Sequence, residues 1–178
     1  MPTLTPAKNA DNIIIGASSV YYSLDSFTTA TDIGYTMNGQ TIRYKPEFVN
    51  VVADQANGVV RKGRSEERMF LKFTMLEVTL EQLRIAMMFK TGSLITSAKT
   101  LTLGENDSCY VSEVGFIIVG PGVKASGVCG TRTWTFGKCV IDDTERMYET
   151  KRDQAVQFEM SFEILKDTNG HFGTAVDT

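Results

Sequence analysis

Apolar and polar positions alternate most clearly in two segments of the chain, and such alternation predicts β-strands with one face on a core. The first segment covers roughly residues 66–77 and the second covers residues 155–165. In the first segment, the residues that share the apolar face are Met69, Leu71, Phe73 and Met75. In the second, they are Val156, Phe158, Met160, Phe162 and Ile164. We therefore expect each strand to pack one face against the core.

Shorter apolar runs predict further strands at residues 13–22, 41–44, 48–52, 94–103, 109–119 and 132–141. The Asn38-Gly39 pair before the second of these runs is a turn signal. Pro46 lacks a backbone N–H and should therefore separate the strand at 41–44 from the strand at 48–52.

The pattern changes period after residue 78, which predicts one helix from Leu80 to about Lys90. Thr79 and Gln82 form a capping-box pattern at its start, and Gly92 should end it. Apolar residues surround most of this helix, whereas a surface helix of a monomer needs only one apolar stripe. Two interpretations are open: the helix is buried deep in its own fold, or a neighbouring subunit covers its second side. The residues proposed for such a contact are Leu83, Met87 and Met88.

Together these elements predict a mainly β protein, an antiparallel β-sandwich or barrel with one flanking α-helix. The length of 178 residues suits a single domain over residues 1–178. Three segments lack a periodic pattern. We expect residues 1–12 to form an N-terminal arm, residues 54–65 a long loop, and residues 167–178 a loose C-terminal tail.

Charge and composition exclude several functional classes. A net charge of −3 and a pI of about 5.2 argue against a dedicated nucleic-acid-binding protein, which normally has a basic excess. No segment has the ~20 apolar residues that a membrane helix needs. The first residues do not resemble a signal peptide, so we expect none there. The odd number and wide spacing of Cys109, Cys129 and Cys139 favour reduced thiols in a cytoplasmic product.

Candidate catalytic and metal-binding groups are few. The single histidine, His171, lies in the predicted tail, where a histidine-based triad would stand on a mobile segment. The cysteines lack the short spacing of metal ligands. Asp142, Asp143 and Glu145 fall between two strands, where acidic residues are usually solvated. We therefore expect no enzyme, no catalytic residue, no cofactor and no metal.

A small basic cluster lies at the end of the predicted long loop and consists of Arg61, Lys62 and Arg64. Glu66 and Glu67 follow directly and nearly cancel its charge. No aromatic residue is interleaved with it, as stacking on nucleic-acid bases would require. The cluster is either a solvated part of the loop or an ion-pairing contact with another subunit.

Two blocks of the sequence resemble bacteriophage tail tube proteins, also called major tail proteins. The first block runs from Asp54 to Met88 and combines a loop, a long strand and a helix start of the form E-x-T-x-E-x-L. The residues that match this form are Glu77, Thr79, Glu81 and Leu83. The second block is TFGKCVIDDTERMYETKRDQAVQFEMSFEILKD. With the N-terminal segment, the resemblance covers most of the chain, and it rests on the order and periodicity of elements.

The resemblance implies a structural virion protein of the phage tail, made in the host cytoplasm. Its hexameric rings would stack into a tube through which the genome is ejected. The same architecture is found in contractile tails, tailocins and type VI secretion tubes. The implied partners are further copies of the chain, a tape-measure protein, a tail terminator and baseplate or tail-tip proteins. DNA would pass through the lumen without specific binding, and neither a membrane nor a cofactor is implied.

In such a tube, the basic cluster would contact the next ring, and acidic residues such as Asp142, Asp143 or Glu145 could receive it. The lumen wall should not be basic, because a basic wall would hold the DNA phosphates. Two polar strand faces meet that condition. The candidate lumen-facing residues are Thr131, Thr133, Thr135, Gln157, Glu159, Ser161 and Glu163.

A second class of protein stays open on the same residues. A non-enzymatic β-sandwich module of a virion that binds a glycan or a receptor would also place polar strand faces in solvent. Such modules usually display exposed aromatic residues, whereas Trp134 alternates within a strand and is expected to face the core.

Overall fold

The computed structural model describes residues 16–52, 59–76, 78–89, 94–104, 113–123, 130–142, 148–149 and 156–178. These ranges contain eleven β-strands and one α-helix, α1 (Leu80–Ala86). The strands are β1 (Ser19–Ser23), β2 (Thr31–Asp32), β3 (Thr36–Val52), β4 (Val59–Met75), β5 (Leu94–Ile95), β6 (Thr100–Leu101), β7 (Val114–Pro121), β8 (Thr131–Ile141), β9 (Tyr148–Glu149), β10 (Gln157–Ile164) and β11 (Thr174–Asp177).

Nine of these strands form one antiparallel sheet, in which the order of seven is β2-β1-β7-β8-β10-β4-β3. The other two are β11, which pairs with β8, and β9, which pairs with β10. β5 and β6 form a separate two-stranded sheet. The predicted fold class, mainly β and antiparallel with one helix, is confirmed in the described part of the chain.

Three aromatic rings lie where the sheet curls over its own inner face. β8 and β10 separate Phe116 on β7 from Phe73 on β4, so a flat sheet would hold the two about 14 Å apart. Their ring centroids are instead 5.8 Å apart, and the ring of Phe162 on β10 lies 4.7 Å from that of Phe116. The curl closes the inner face around these rings, as in a sandwich or barrel.

The two strongly alternating segments supply much of this core, as predicted. Leu71, Phe73 and Met75 of β4 are buried, and Met69 packs against them. On β10 the buried residues are Phe158, Met160, Phe162 and Ile164. The two strands are hydrogen-bonded neighbours, and Phe162 lies opposite Leu71 in the register.

The predicted break at Pro46 is wrong, because β3 runs without interruption from Thr36 to Val52. β3 is the last strand in the sheet order, and proline is tolerated on an edge strand when its missing N–H falls on the unpaired side. The Asn38-Gly39 pair does not reverse the chain either. Both residues have positive φ, at 61° and 71°, and the register between β3 and β4 shifts across them. They therefore form a bulge within the strand.

Two segments without a predicted element are partly β-strand. β4 begins at Val59, so the long loop predicted at 54–65 is wrong from that residue on, and residues 53–58 lie outside the described ranges. The predicted loose tail is also wrong, since β11 pairs with β8. Thr178 then exchanges two backbone hydrogen bonds with Thr131, of 2.7 and 2.9 Å. The N-terminal arm predicted at 1–12 lies outside the described ranges.

The strand predicted at 94–103 is wrong in its middle. β5 and β6 are two-residue strands that pair with each other, and a turn separates them. Lys99 in this turn has a φ of 49°, which fits a chain reversal rather than an extended strand.

The capping box at the start of α1 is present as predicted, with both the Thr79 and the Gln82 side chains bonded to the backbone. The helix ends at Ala86 rather than near Lys90. Met88 has a left-handed φ of 55° and donates to the carbonyl of Ile85, while the Phe89 N–H donates to that of Arg84. These two bonds form the Schellman motif, which terminates a helix without a glycine here.

Replacing Phe116 with alanine should lower the free energy of unfolding by about 3–5 kcal/mol, because the ring is fully buried against Phe73 and Phe162. Chemical denaturation measures the change. Tyr35→Ala serves as the control, since that side chain is 77% exposed and its loss should cost less than about 0.5 kcal/mol. A loss below about 1 kcal/mol for Phe116→Ala would contradict this account of the core.

Candidate functional site

The distal halves of β3 and β4 extend beyond the core as a two-stranded ladder, which we call the projecting hairpin (residues 45–52 and 59–66). Its strands stay paired as far as Val52 opposite Val59. Every side chain in it is exposed except that of Pro46, which is half-buried. The inner half of the same ladder carries the buried Leu71 and Met75, so one pair of strands links the core to the solvent.

Large apolar side chains cover the projecting hairpin. Their exposed fractions lie between 51% and 64%. They are Phe48, Val49, Val51, Val52, Val59 and Val60. An isolated two-stranded hairpin is marginally stable in water, and a contiguous exposed apolar surface typically marks an interaction site.

The basic cluster lies on this hairpin and not in a loop. Arg61 pairs with Val51, Lys62 with Asn50, and Arg64 with Phe48. Because side chains alternate between faces, Lys62 and Arg64 share a face with Phe48, while Arg61 lies on the face with Val51. Each face therefore presents apolar and cationic groups together. The proposed contact of the cluster with the next ring stays a prediction.

The outer edge of β3 is the second open feature of this region. β3 is 17 residues long and ends the strand order, so in the described ranges no strand pairs with its outer side. An edge of this length offers unpaired backbone donors and acceptors to another chain. Natural edges are usually blunted, and Pro46 with Lys45 blunts this one only at its centre.

A carboxylate at the root of the hairpin joins three parts of the chain. Glu67 on β4 accepts a hydrogen bond of 2.8 Å from the Tyr44 hydroxyl on β3 and one of 2.7 Å from Lys166 Nζ, beyond β10. The Arg64 guanidinium also donates to it. The Glu67 side chain is only 16% exposed. We call these four residues the Glu67 cluster.

The donors around Glu67 change its acidity and that of a neighbour. The bonds from Lys166 and Tyr44 lower the pKa of Glu67 to about 2, and Arg64 adds to the effect. The hydrogen bond to Glu67 in turn raises the pKa of the Tyr44 hydroxyl. Glu67 therefore stays ionised, and Tyr44 stays a donor, at neutral pH.

The predicted subunit contact on the helix has little exposed surface. Met88 is 6% exposed and belongs to the core, and Leu83 and Met87 pack partly buried against that core. Gln82 also holds the helix to its own fold by donating to the Ile33 carbonyl at 2.5 Å. These contacts favour the interpretation of a helix set deep in its own fold. A contact through Leu83 and Met87 stays a prediction, whereas Met88 offers no surface for one.

The predicted lumen-facing residues do not form one polar wall. Ser161 is 1% exposed and donates to Asp142 Oδ2 at 2.9 Å, so its place among them is wrong. Asp142 is itself buried and is therefore unavailable as an exposed receptor for the basic cluster. Asp143 and Glu145 lie outside the described ranges.

The remaining candidates fall on two parts of the sheet. Gln157 and Glu159 on β10 are exposed. The candidates on β8, Thr131, Thr133 and Thr135, are half-buried and alternate with the core-facing Trp134 and Phe136. Their position on a lumen wall stays a prediction.

Basic residues from the neighbouring strands β4 and β3 lie on the same face of the sheet as the polar residues of β10. The sequence pattern does not predict them there. Glu163 is half-buried and accepts two bonds of 2.7 Å from Arg68. Lys72 lies 3.6 Å from Glu159. Neighbouring strands alternate in phase, so β3 adds Arg43 to this face. The face thus carries basic and acidic groups side by side, whereas the sequence pattern predicts polar and acidic groups alone.

The described residues contain no constellation that indicates catalysis or metal binding. No group of three or more histidine, cysteine or acidic residues is placed to hold a metal ion in those ranges. Burial raises the pKa of the Cys139 thiol, and Cys109 and Cys129 lie outside the described ranges. His171 is exposed near the C-terminal strand. In the same ranges no helix is long and apolar enough to span a membrane.

Several solved tail and tube assemblies contain chains of similar structure. A chain of the anti-feeding prophage baseplate is 9% identical, with a TM-score of 0.48 over 99% of this chain and 97% of that one. The SPP1 tail tube chain is 13% identical, with a TM-score of 0.47 over 93% of this chain and 79% of that one. A chain of a gene transfer agent virion is 11% identical, with a TM-score of 0.43 over 97% and 99%.

No protein-family model matches the chain, and no curated protein matches it. At these identities and TM-scores the similar structures assign no role to the chain or to any of its residues.

Lowering the pH from about 4.5 to about 2 should weaken the Glu67 cluster. The pKa of Glu67 is about 2 in the folded chain, against an ordinary value of 4.5. The ionised carboxylate therefore stabilises the folded chain above the ordinary value, and this contribution is lost as the pH falls through the folded-state pKa. An NMR titration of the Glu67 carboxyl carbon should give a midpoint near the lower value.

Glu67→Gln is the control for this titration, since an amide does not titrate. Its stability should depend less on pH between about 4.5 and 2 than that of the unaltered chain. A Glu67 midpoint at the ordinary value of 4.5 would contradict the geometry of the cluster.

Proposed function

We propose that this chain is a non-enzymatic structural subunit of a phage-type tail tube. Copies of it would form hexameric rings, and the rings would stack into the conduit through which a genome is ejected. The projecting hairpin is the observation that carries the proposal. The resemblance of the two sequence blocks to tail tube proteins supplies the class, the number of subunits in a ring and the virion location.

Assembly would cover surface that the hairpin leaves in water. Each of its six large apolar side chains is roughly half exposed, and burying the exposed part would contribute about 1 kcal/mol for each. Part of that gain offsets the entropy lost when two chains associate. Every subunit in a ring makes the same contact, so the net free energy of one contact is gained once for each subunit.

The shape of the hairpin favours an open or ring-forming assembly over a simple dimer. A hairpin that leaves one side of a subunit binds a different patch on its neighbour, which makes the contact heterologous. Repeated heterologous contacts generate closed rings or continuing stacks. The outer edge of β3 supports the same conclusion, because strand pairing with a neighbour would satisfy its free backbone groups.

Charge adds a preference for the partner surface. Arg61 and Lys62 are exposed on the hairpin, while the chain as a whole carries a net charge of −3. The remaining surface is therefore acidic on balance and attracts the basic hairpin of another copy. Two basic hairpins repel each other, which disfavours pairing of one hairpin with another.

The interior of the tube would be lined by polar strand faces. We propose Thr131, Thr133 and Thr135 on β8, and Gln157, Glu159 and Glu163 on β10, for this wall. Ion pairs such as Arg68 with Glu163 would offset basic charge on this wall and so limit its hold on the DNA phosphates, which would let DNA pass without specific binding. A tape-measure protein would occupy the lumen during assembly, and a tail terminator and baseplate or tail-tip proteins would cap the two ends.

Val51→Asp should abolish assembly while leaving the monomer folded, because it places a charge on the exposed apolar face of the hairpin. Negative-stain microscopy and sedimentation of concentrated protein measure assembly. Leu103→Asp is the matched control, since Leu103 is an apolar residue outside the hairpin that is at least as exposed as Val51. A wild-type chain that stays monomeric at every concentration, even with tail partners, would disprove the proposed function.

Reversing two charges tests the electrostatic part of the contact. Arg61→Glu with Lys62→Glu should weaken assembly at low salt, and added salt should then promote assembly instead of weakening it, because attraction to an acidic surface becomes a repulsion that salt screens. Arg64 is left unchanged, since it also contacts Glu67. Light scattering across a salt series measures the effect. Assembly that matches the wild type at every salt concentration would rule out this role for the basic cluster.

A further inference from the structure

We propose that Glu67 is a positioning residue that fastens the projecting hairpin to the C-terminal segment (residues 165–178), so that this segment sets the direction in which the hairpin points. The inference rests on the proposed function for its consequence, which is the docking of the hairpin on a second copy. Its physical basis is a coupling within one chain, which can be measured without assembly.

The contacts of Glu67 come from both sides of the joint. On the hairpin side, Tyr44 and Arg64 donate to Oε1. On the other side, Lys166 donates to Oε2 at 2.7 Å, and its ammonium group lies 5.1 Å above the ring of Phe172. The two carboxylate oxygens thus bind opposite partners. Hydrogen bonds to charged groups are stronger and more directional than neutral ones, so this arrangement resists rotation at the root.

The C-terminal segment is a suitable anchor because the sheet holds it at both ends. Leu165 donates its N–H to the Lys138 carbonyl at 2.8 Å at one end. At the other end, β11 pairs with β8 over four residues, and Asp177 accepts two bonds of 2.6 Å from Arg132. The segment therefore moves with β8 and the core rather than with the hairpin.

Packing alone leaves the joint incompletely filled. A groove of about 400 Å³ lies between the root of the hairpin and the C-terminal segment, lined by Tyr44, Met69, Trp134 and Phe172 among others. The rings of Tyr44 and Phe172 meet edge-on across it, with centroids 6.4 Å apart. A gap of this kind forfeits dispersion contacts, so the polar cluster supplies contacts at the joint that packing does not.

A fixed hairpin angle matters for docking. Binding costs more when the docking element must first be ordered, and pre-organisation removes that cost. The coupling is also reciprocal: a neighbour that displaces the C-terminal segment would release the hairpin, and a docked hairpin would stabilise the segment. Glu67 would act through Tyr44, Arg64 and Lys166, without touching the neighbouring subunit.

Lys166→Met is the most direct test, because it removes the donor on the C-terminal side, lies outside the hairpin and keeps an apolar stem over Phe172. Hydrogen exchange of the monomer should become about threefold to tenfold faster at the amides of residues 48–52 and 59–64. Lys45→Met is the matched control. It removes an ion pair between the side chains of Lys45 and Glu47 inside the hairpin, and it takes no donor away from Glu67, whose donors are Tyr44, Arg64 and Lys166.

A second variant separates the cluster from a general loss of charge. Glu67→Gln alone should accelerate the same amides, and the double variant with Lys166→Met should be no faster than the faster single variant, because both remove one coupled contact. Unchanged exchange in Lys166→Met, an equal acceleration in Lys45→Met, or additive effects in the double variant would overturn the inference.

Assembly assays on the same proteins distinguish this inference from the proposed function. Lys166→Met should raise the concentration needed for assembly, and Lys45→Met should leave it near the wild-type value. If the wild-type chain never assembles but Lys166→Met still loosens the hairpin, the tube function fails and the coupling stands. If the wild type assembles and hairpin exchange is unaffected by Lys166→Met, the coupling fails and the tube function stands.

Discussion

The rest of the structure depends on the antiparallel pairing of β3 with β4. Its inner half places Leu71 and Met75 in the core, and its outer half carries Val51 and Val59 into solvent. Because one continuous ladder spans both regions, the core determines where the exposed strands start. The weakly stable outer half persists as an extension of a stable inner half, which an isolated hairpin of the same sequence could not do.

Sequence patterns predicted those elements whose local signals agree with their surroundings. β10 and the inner half of β4 alternate because one face meets a core, and the capping box of α1 is a local contact between Thr79 and Gln82. The outer half of β4 has no core on either face, so Val60 to Arg64 lack alternation, and the pattern predicts a loop there. Strand pairing with β3, a contact distant in sequence, makes that segment extended.

The other errors have the same cause. β11 is exposed at every position and has no periodic pattern, and only its hydrogen bonds to β8 make it a strand. Alternation places Ser161 on the polar face of β10. In the structure its hydroxyl is buried, because it donates a hydrogen bond to the buried Asp142. The Glu67 cluster joins residues 44, 64, 67 and 166, a spacing that no local motif could reveal. The sequence signal nearest to it is that Glu66 and Glu67 follow the basic cluster directly and nearly cancel its charge.

The projecting hairpin combines two properties that are in conflict for a free subunit. Exposed valines on a long open edge promote association, and they do so indiscriminately unless something opposes the wrong contacts. Arg61, Lys62 and Arg64 lie directly among those valines and repel a second hairpin of the same charge, while an acidic surface still attracts them. The positive charges therefore select which surface covers the apolar groups, and the Glu67 carboxylate at the root determines the angle from which that surface is approached.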